Sequence, residues 1–454
     1  MSQIVASNLS TDNSKMLASK LIQRSMQKLV AKSLCDQIPM EKGAGLTAYF
    51  VRYKRMNVPV TTLTEGTDPS SSSFEIDGIN VTLDQWGDLL NVTDVALLAT
   101  NHDVVKQVLE LLSDNAQRVI DREVQIVWLS GTNVLYGDGS VSTRATITST
   151  MKLTDNLITR AVVQMSDAGA PPRNGPSGQR VESSGDLRQG NAYVAVAGPH
   201  VIGEIRQPGT VLGSWVSVAM YNKASDLYNA EVGTWLGIRF IETNFIPKFT
   251  LLGDGTAAAA EGSNAGGITG LTLAYTSGSG TLSNTTTYFW KVTRKDLLRG
   301  FEESISIAHS TATGASDEDA AFTMPSTAGY VYNVHFDTVQ SGGTGTDATL
   351  GRVGTNVAAS GVVTILAVPA ATNTPPPNII GDGTVTTVHP IYIHSQETTN
   401  WVGLQNLEFM QTKDEAAPGN LLKLNRWFSY KFMAKTMIRD QTRILRLEVA
   451  SSFG

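Results

Sequence analysis

Six histidines are the residues most able to carry metal or proton chemistry: His102, His200, His309, His335, His389 and His394. Only His389 and His394 fall close together, in a stretch that reads as a strand. Their odd separation sends the two rings to opposite faces, so they are not expected to share a metal. The single cysteine, Cys35, excludes a cysteine cluster and any intrachain disulfide. The sequence has no His-Glu-x-x-His, no EF-hand loop and no Gly-x-Ser-x-Gly elbow. Asp317-Glu318-Asp319 reads as a solvated turn rather than a calcium site. Gly342-Gly343-Thr344-Gly345 lacks the lysine and helix of a phosphate-binding loop. No catalytic residue, metal or cofactor is expected from these sets, although a triad can be assembled from distant positions.

The one patterned set of charges is basic. Lys15, Lys20, Arg24, Lys28 and Lys32 follow one another with no acid between them. The last four have i, i+4 spacing and form a stripe along a helix expected from about Ser14 to Cys35. Leu17, Leu21, Met26, Leu29 and Val30 give that helix an apolar side. Such a stripe is either a solvated face or a contact for DNA or an acidic partner. The net charge of −6 argues against a coat that wraps nucleic acid with its whole surface, and leaves room for a local basic face. Charged residues make up 17% of the chain, below the usual value of about 25%. Much of the surface must then be Ser, Thr, Asn and Gly, or lie against other subunits. One cysteine, no signal-like start and no apolar run of about 18 residues lead us to expect a soluble, cytosolically made chain with no membrane partner.

The elements that must position these residues are legible by period. Residues 45–92 read as a long hairpin: a first arm from Leu46 to Leu63, a tip at Glu65-Gly66-Thr67-Asp68-Pro69 with the following serines, and a returning arm through Phe74, Ile76, Ile79, Val81 and Leu83. The alternation changes parity at Asp77-Gly78, which predicts a bulge or turn there. A two-stranded ribbon is marginal in water, so this one needs another surface, such as a neighbouring subunit. The spacing of Val105, Val108, Leu109, Leu112, Ala116, Val119, Ile120 and Val127 predicts a helix over about 102–130. At 1.5 Å per residue that is a spine of about 40 Å. A shorter helix is expected over 153–166, then a Gly/Pro/Ser/Arg loop at 167–191. Composition changes abruptly over 250–385, where Gly, Thr, Ser and Ala separate short apolar strands. Its edges, Leu251-Leu252-Gly253-Asp254-Gly255-Thr256 and Ile379-Ile380-Gly381-Asp382-Gly383-Thr384, match one another, as expected of a domain inserted into a loop. The chain closes on a strand near 443–449, with Leu445, Leu447 and Val449 facing one way.

Several segments, taken in order, resemble the major capsid proteins of tailed phages, in the branch of short-tailed N4-like coliphages. They are Thr61-Thr62-Leu63-Thr64-Glu65-Gly66-Thr67-Asp68-Pro69; Val81-Thr82-Leu83-Asp84-Gln85-Trp86-Gly87-Asp88 with Val92-Thr93-Asp94; Gly131-Thr132-Asn133-Val134-Leu135-Tyr136-Gly137; and Ala230-Glu231-Val232-Gly233 through Ile238-Arg239-Phe240-Ile241-Glu242-Thr243. The resemblance spans about 15–250 and 386–450. It implies an α+β fold of the Hong Kong phage type. The N-terminal arm would be 1–44, the extended loop 45–92, the peripheral domain 93–191 plus 400–454, and the axial domain 192–249 plus 386–399. The remaining 250–385 is similar to fibronectin-type or immunoglobulin-like sandwiches, with Tyr288, Trp290 and Val292 expected in its core. Lys54 and Asn57 lie in the loop from which some relatives form Lys–Asn crosslinks, but nothing marks them as reactive.

The function implied is self-assembly into an icosahedral shell around double-stranded DNA, first in the host cytoplasm and then as the virion. Partners would be copies of the chain in pentamers and hexamers, a separate scaffolding protein, a portal, and DNA bound without sequence specificity at the inner surface. Glu65, Gly66, Asp68, Pro69 and Trp86 are the expected subunit-interface residues. Lys15, Lys20, Arg24, Lys28 and Lys32 are expected to face DNA or scaffold, and the insert to decorate or brace the outer surface. Two other readings stay open: a tail or adhesion protein, which would carry β-repeats throughout, and a carbohydrate-active enzyme with a β-sandwich accessory module.

Overall fold

The computed structural model describes residues 28–43, 45–54, 73–99, 104–142, 144–173, 192–206, 215–218, 228–249, 270–277, 280–282, 287–304, 309–312, 319–337, 351–366, 387–412 and 424–453, together with 56, 58 and 62. The chain divides into two compact units. The first is Met1–Arg24, Lys32–Val124 and Thr399–Arg439; the second is Ser25–Ala31, Gln125–Thr398 and Asp440–Gly454.

In the first unit, four strands form a sheet in the order Asp36–Pro39, Thr399–Gln411, Asn425–Ile438, Asp84–Thr93. The strand Asn425–Ile438 alternates in burial: Phe428, Tyr430, Phe432, Ala434 and Thr436 are buried. This is the period-two pattern of a sheet covered on one side. The cover is the spine helix, Val104–Leu129. Its Val108, Leu112, Ala116, Ile120 and Val124 form a buried row, and two polar contacts tie it to the sheet. Asn115 donates to Asp88 at 2.8 Å, and the Arg122 guanidinium lies 5.2 Å from the Trp86 ring centroid. Burial, with Asp88 adding its charge, pushes the Tyr430 hydroxyl up to about 12.

Residues 28–35 do not form the last part of the helix expected through Cys35; residues 14–27 lie outside the described residues. Residues 28–30 are irregular, Ala31–Leu34 is one 3-10 turn, and Asp36–Pro39 is a strand. A helix would bond the Lys32 N–H to the Lys28 carbonyl. Instead the Lys32 N–H donates to Asp121 at 3.3 Å, and the Lys28 carbonyl accepts from the Thr243 hydroxyl at 2.6 Å. Tertiary partners have taken both ends of the local bond.

The second unit is built on a seven-stranded sheet in the order Val134–Tyr136, Ile444–Ala450, Val388–His394, Tyr193–Ala197, Ile238–Glu242, Glu231–Trp235, Val216–Ser217. Every residue of Val388–His394, Ile444–Ala450 and Tyr193–Ala197 is buried. Tyr193–Ala197 accordingly reads as an apolar run, whereas Ile444–Ala450 alternates and buries Arg446 and Glu448 as an ion pair at 2.8 Å. Helices Asp155–Asp167 and Pro199–Arg206 supply Leu157, Ile158, Val201 and Ile202 to one of the two faces. Thr154 caps the first of them, its hydroxyl accepting from the Leu157 N–H at 3.3 Å. Leu445, Leu447 and Val449 enter the same core. The contacts thus divide the chain differently from the sequence-based boundaries. Residues 134–136, 155–167 and 444–450 fall in the second unit, because Ile444–Ala450 pairs along its whole length with Val388–His394.

The compositionally distinct block forms two further sheets. One runs Thr272–Thr276, Asp319–Thr323, Val362–Ile365; the other runs Glu302–Ser304, Thr287–Asp296, Tyr330–Asp337, Gly351–Ala358, with His309–Ala312 also on Thr287–Asp296. They share a core made wholly of their own residues, including Leu273, Tyr288, Trp290, Val292, Phe322 and Phe336. Phe249 and Val388, which flank the block in sequence, exchange backbone hydrogen bonds of 2.9 and 2.8 Å. The matched Gly-Asp-Gly edges lie outside the described residues, as do Asp317, Glu318 and Gly342–Gly345; Asp319 begins a strand.

Candidate assembly interface

The hairpin pairs Thr47–Tyr53 with Ile76–Thr82 from Thr47↔Thr82 to Tyr53↔Ile76. Its two faces differ. Ala48, Phe50, Ile79 and Val81 pack toward a small core with Leu83, Val402 and Met437. Further out on that side the apolar residues give way to ion pairs, Arg52–Asp77 at 2.9 Å and Lys54–Glu75 at 3.0 Å. The opposite face is apolar and open: Tyr49, Val51, Tyr53, Phe74 and Ile76 are 62, 49, 67, 60 and 53% exposed. Single exposed apolar residues mean little, but five on one ribbon make a patch of the kind that marks a contact surface. Tyr53 and Phe74 already touch, with ring centroids 5.8 Å apart.

The bulge expected at Asp77-Gly78 is absent, since the register runs through Gly78↔Val51 and Asp77↔Arg52 without a shift. The parity changes because the apolar positions change faces, from Ile79 and Val81 on the packed side to Phe74 and Ile76 on the open one. The Tyr49 side chain crosses from the facing strand and lies over Gly78, so close that a Cβ there would meet its hydroxyl at 2.2 Å. The glycine supplies the gap and the tyrosine fills it.

The hairpin is also shorter than 45–92. Asp84–Thr93 leaves it and pairs with Asn425–Ile438, Trp86 opposite Phe432. Trp86 is therefore a half-buried member of the four-stranded sheet and not a residue at the hairpin base. Trp86→Ala removes ring packing against Arg122 rather than a filled core site. It should cost about 1–3 kcal/mol by chemical denaturation, less than the roughly 3–5 kcal/mol of a fully buried tryptophan. The expected tip residues Glu65, Gly66, Asp68 and Pro69 lie outside the described residues, as do Asn57, Lys15, Lys20 and Arg24. The two described members of the basic stripe make contacts within the chain. Lys28 pairs with Glu242 at 3.0 Å, and the Lys32 ammonium lies 5.5 Å from the Trp401 ring centroid.

His389 and His394 stand on opposite faces of their strand, as their spacing requires. His394 packs on Trp128, centroids 4.3 Å apart, and His389 stacks on His200 at 4.9 Å. Burial pushes His394 down to about 3; burial, then the charges of His200 and Lys248, push His389 down to about 4. The unfolded chain, with ordinary histidines near 6.5, takes up these protons first. Stability from this source is complete above about pH 6.5. It falls as pH drops toward 4, by about 2 kcal/mol per histidine at pH 4.5. Denaturant midpoints measured from pH 7.5 to 4.5 should show this slope, and His389→Gln should remove its share. Sequence reasoning missed the His200–Lys248–His389 grouping because its members meet only through the fold.

Among the described residues no group of three or more His, Cys, Asp or Glu could hold a metal, and no helix is long and apolar enough to cross a membrane. No family model matches the sequence, and no curated protein matches it. Solved structures do. The capsid of Ralstonia phage GP4 superposes with a TM-score of 0.52 at 10% identity, over 96% of this chain and 95% of that one. The capsid asymmetric unit of cyanophage Pam1 gives 0.52 at 10% identity, over 97% of both chains. Likeness at this identity, spread over nearly the whole of each chain, establishes the fold: this chain is folded as those phage capsid subunits are.

Proposed function

We propose that this chain is the major capsid protein of a tailed phage, a structural subunit that assembles with copies of itself into a closed shell around double-stranded DNA. The observation that carries the reading is the hairpin. A ribbon with ion pairs on one side and five open apolar residues on the other is poorly stable alone and complete only against a second surface. On a chain with the fold of phage capsid subunits, that surface is a neighbouring copy. Pentamers and hexamers, a scaffolding protein, a portal and assembly in the host cytoplasm belong to the same reading. So do the N4-like branch and an inner face served by Lys15, Lys20 and Arg24.

The insert is an immunoglobulin-like module on the outer surface that braces or decorates the shell. Three features support the module itself: its self-contained core, the adjacency of its flanking residues Phe249 and Val388, and its strand pairing. Thr272–Thr276 pairs with Asp319–Thr323, Thr287–Asp296 with Tyr330–Asp337, and Tyr330–Asp337 with Gly351–Ala358, all antiparallel. That is the cross-pairing of a Greek-key sandwich.

Co-expression with the scaffolding partner followed by sedimentation tests the proposal. The bulk of the chain should sediment as large closed particles. A chain that stays monomeric at high concentration with scaffold present contradicts it.

A further inference from the structure

Near the turn that links the insert strands Thr287–Asp296 and Glu302–Ser304, insert residues and the host segment 247–249 together line a cleft of about 200 Å³. That is below the roughly 300 Å³ at which ordinary small-molecule pockets begin. Leu129, Phe249, Phe301 and Tyr330 give it apolar walls, and the lining charges are Lys248, Arg294, Arg299, Asp296 and Glu302. Both acids accept hydrogen bonds from within the block. Asp296 accepts from the backbone N–H groups of Leu298 and Arg299 at 2.8 and 3.2 Å, closing the turn. Glu302 accepts from the Thr293 hydroxyl and the Asn333 amide, each at 2.6 Å. The Arg294 guanidinium covers the Tyr330 ring, 4.3 Å from its centroid.

Lys248 reaches His200, its Nζ 2.5 Å from Nε2. On its other side the same ring donates from Nδ1 to the Phe453 carbonyl at 2.6 Å. The ammonium is thus fixed in place by a partner that does not neutralise it. The charge acting on it from across the seam is Arg299, another cation, and burial and that guanidinium together hold Lys248 below the usual lysine range.

We infer that this seam is a binding site for one small tetrahedral oxyanion, of the phosphate or sulfate type, held between Lys248 of the host and Arg299 of the insert. Two cations brought together with partial loss of water repel one another, and an anion between them turns that repulsion into two charge-assisted hydrogen bonds. Because the two residues come from the two sides of the seam, the anion fastens the insert to its host. The inference does not depend on shell assembly.

Calorimetric titration of the full chain with inorganic phosphate, in a phosphate- and sulfate-free buffer, tests it. Saturable binding of one anion per chain is expected. Lys248→Met and Arg299→Gln should each weaken it about ten- to hundredfold, the effect of losing one charge-assisted bond. Arg299 is half-buried in a turn, so its variant keeps the fold even if Lys248→Met does not. A parallel titration with a short oligothymidylate separates a free anion from a nucleic-acid phosphate. Absence of saturable phosphate binding overturns the assignment. So does binding indifferent to Arg299→Gln, or uptake of the oligonucleotide in place of phosphate.

Discussion

A chain carrying Tyr53→Ser and Ile76→Ser should fold normally and fail to build shells. Both side chains are more than half exposed, so the isolated chain should lose no more than about 0.5 kcal/mol, as is usual for surface positions. Burying such a side chain in an interface is worth about 1.5–3 kcal/mol, and a closed shell repeats that loss at every copy. The yield of sedimenting particles should drop at least about tenfold, since each 1.4 kcal/mol is a factor of ten. Denaturation midpoints would be compared for the dissociated chains, and particle yield by velocity sedimentation. Shells at normal yield from this variant would place the hairpin outside the interface.

Trp290→Ala should produce the largest loss of stability of any single substitution in the insert, about 3–5 kcal/mol. Trp290 is fully buried and meets Phe322 of the other sheet edge-on at 5.4 Å, so the cavity opens between the two sheets. The core around it contains only insert residues, and the loss should stay there. Hydrogen exchange on the full chain would show Thr287–Asp296 and Tyr330–Asp337 losing protection while Val388–His394 and Ile444–Ala450 keep theirs. Equal loss in all four strands would show one cooperative unit and no separable module.

How much of this was legible depended on how local the deciding interaction was. The spine helix was readable to within two residues at each end, because its apolar row follows from neighbouring positions. The hairpin arms were equally clear, but not where they end. Asp84–Thr93 pairs with the distant strand Asn425–Ile438, Thr93 opposite Asn425, and alternation looks the same whichever strand receives it. The parity change near Gly78 was visible and its cause was not, since an apolar residue on the open face, such as Ile76, reads in sequence like one on the packed face, such as Ile79. The helical pattern was not followed over residues 28–35 because Asp121 and Thr243, both distant in sequence, took the bonds a helix would have used there. The seam of Lys248 and Arg299 left no mark in the sequence, as neither residue sits in a motif. The abrupt composition of 250–385 coincides with two sheets that share a core of their own residues, because such strands carry their own apolar pattern.

The most direct test of the account is electron microscopy of the particles formed when the full chain is expressed with its scaffolding partner. The account predicts closed icosahedral shells, built of pentamers and hexamers, in which the apolar face of each hairpin, Tyr49, Val51, Tyr53, Phe74 and Ile76, is covered by an adjacent copy. Open fibres, isolated monomers, or shells whose hairpins stand free of their neighbours would contradict it.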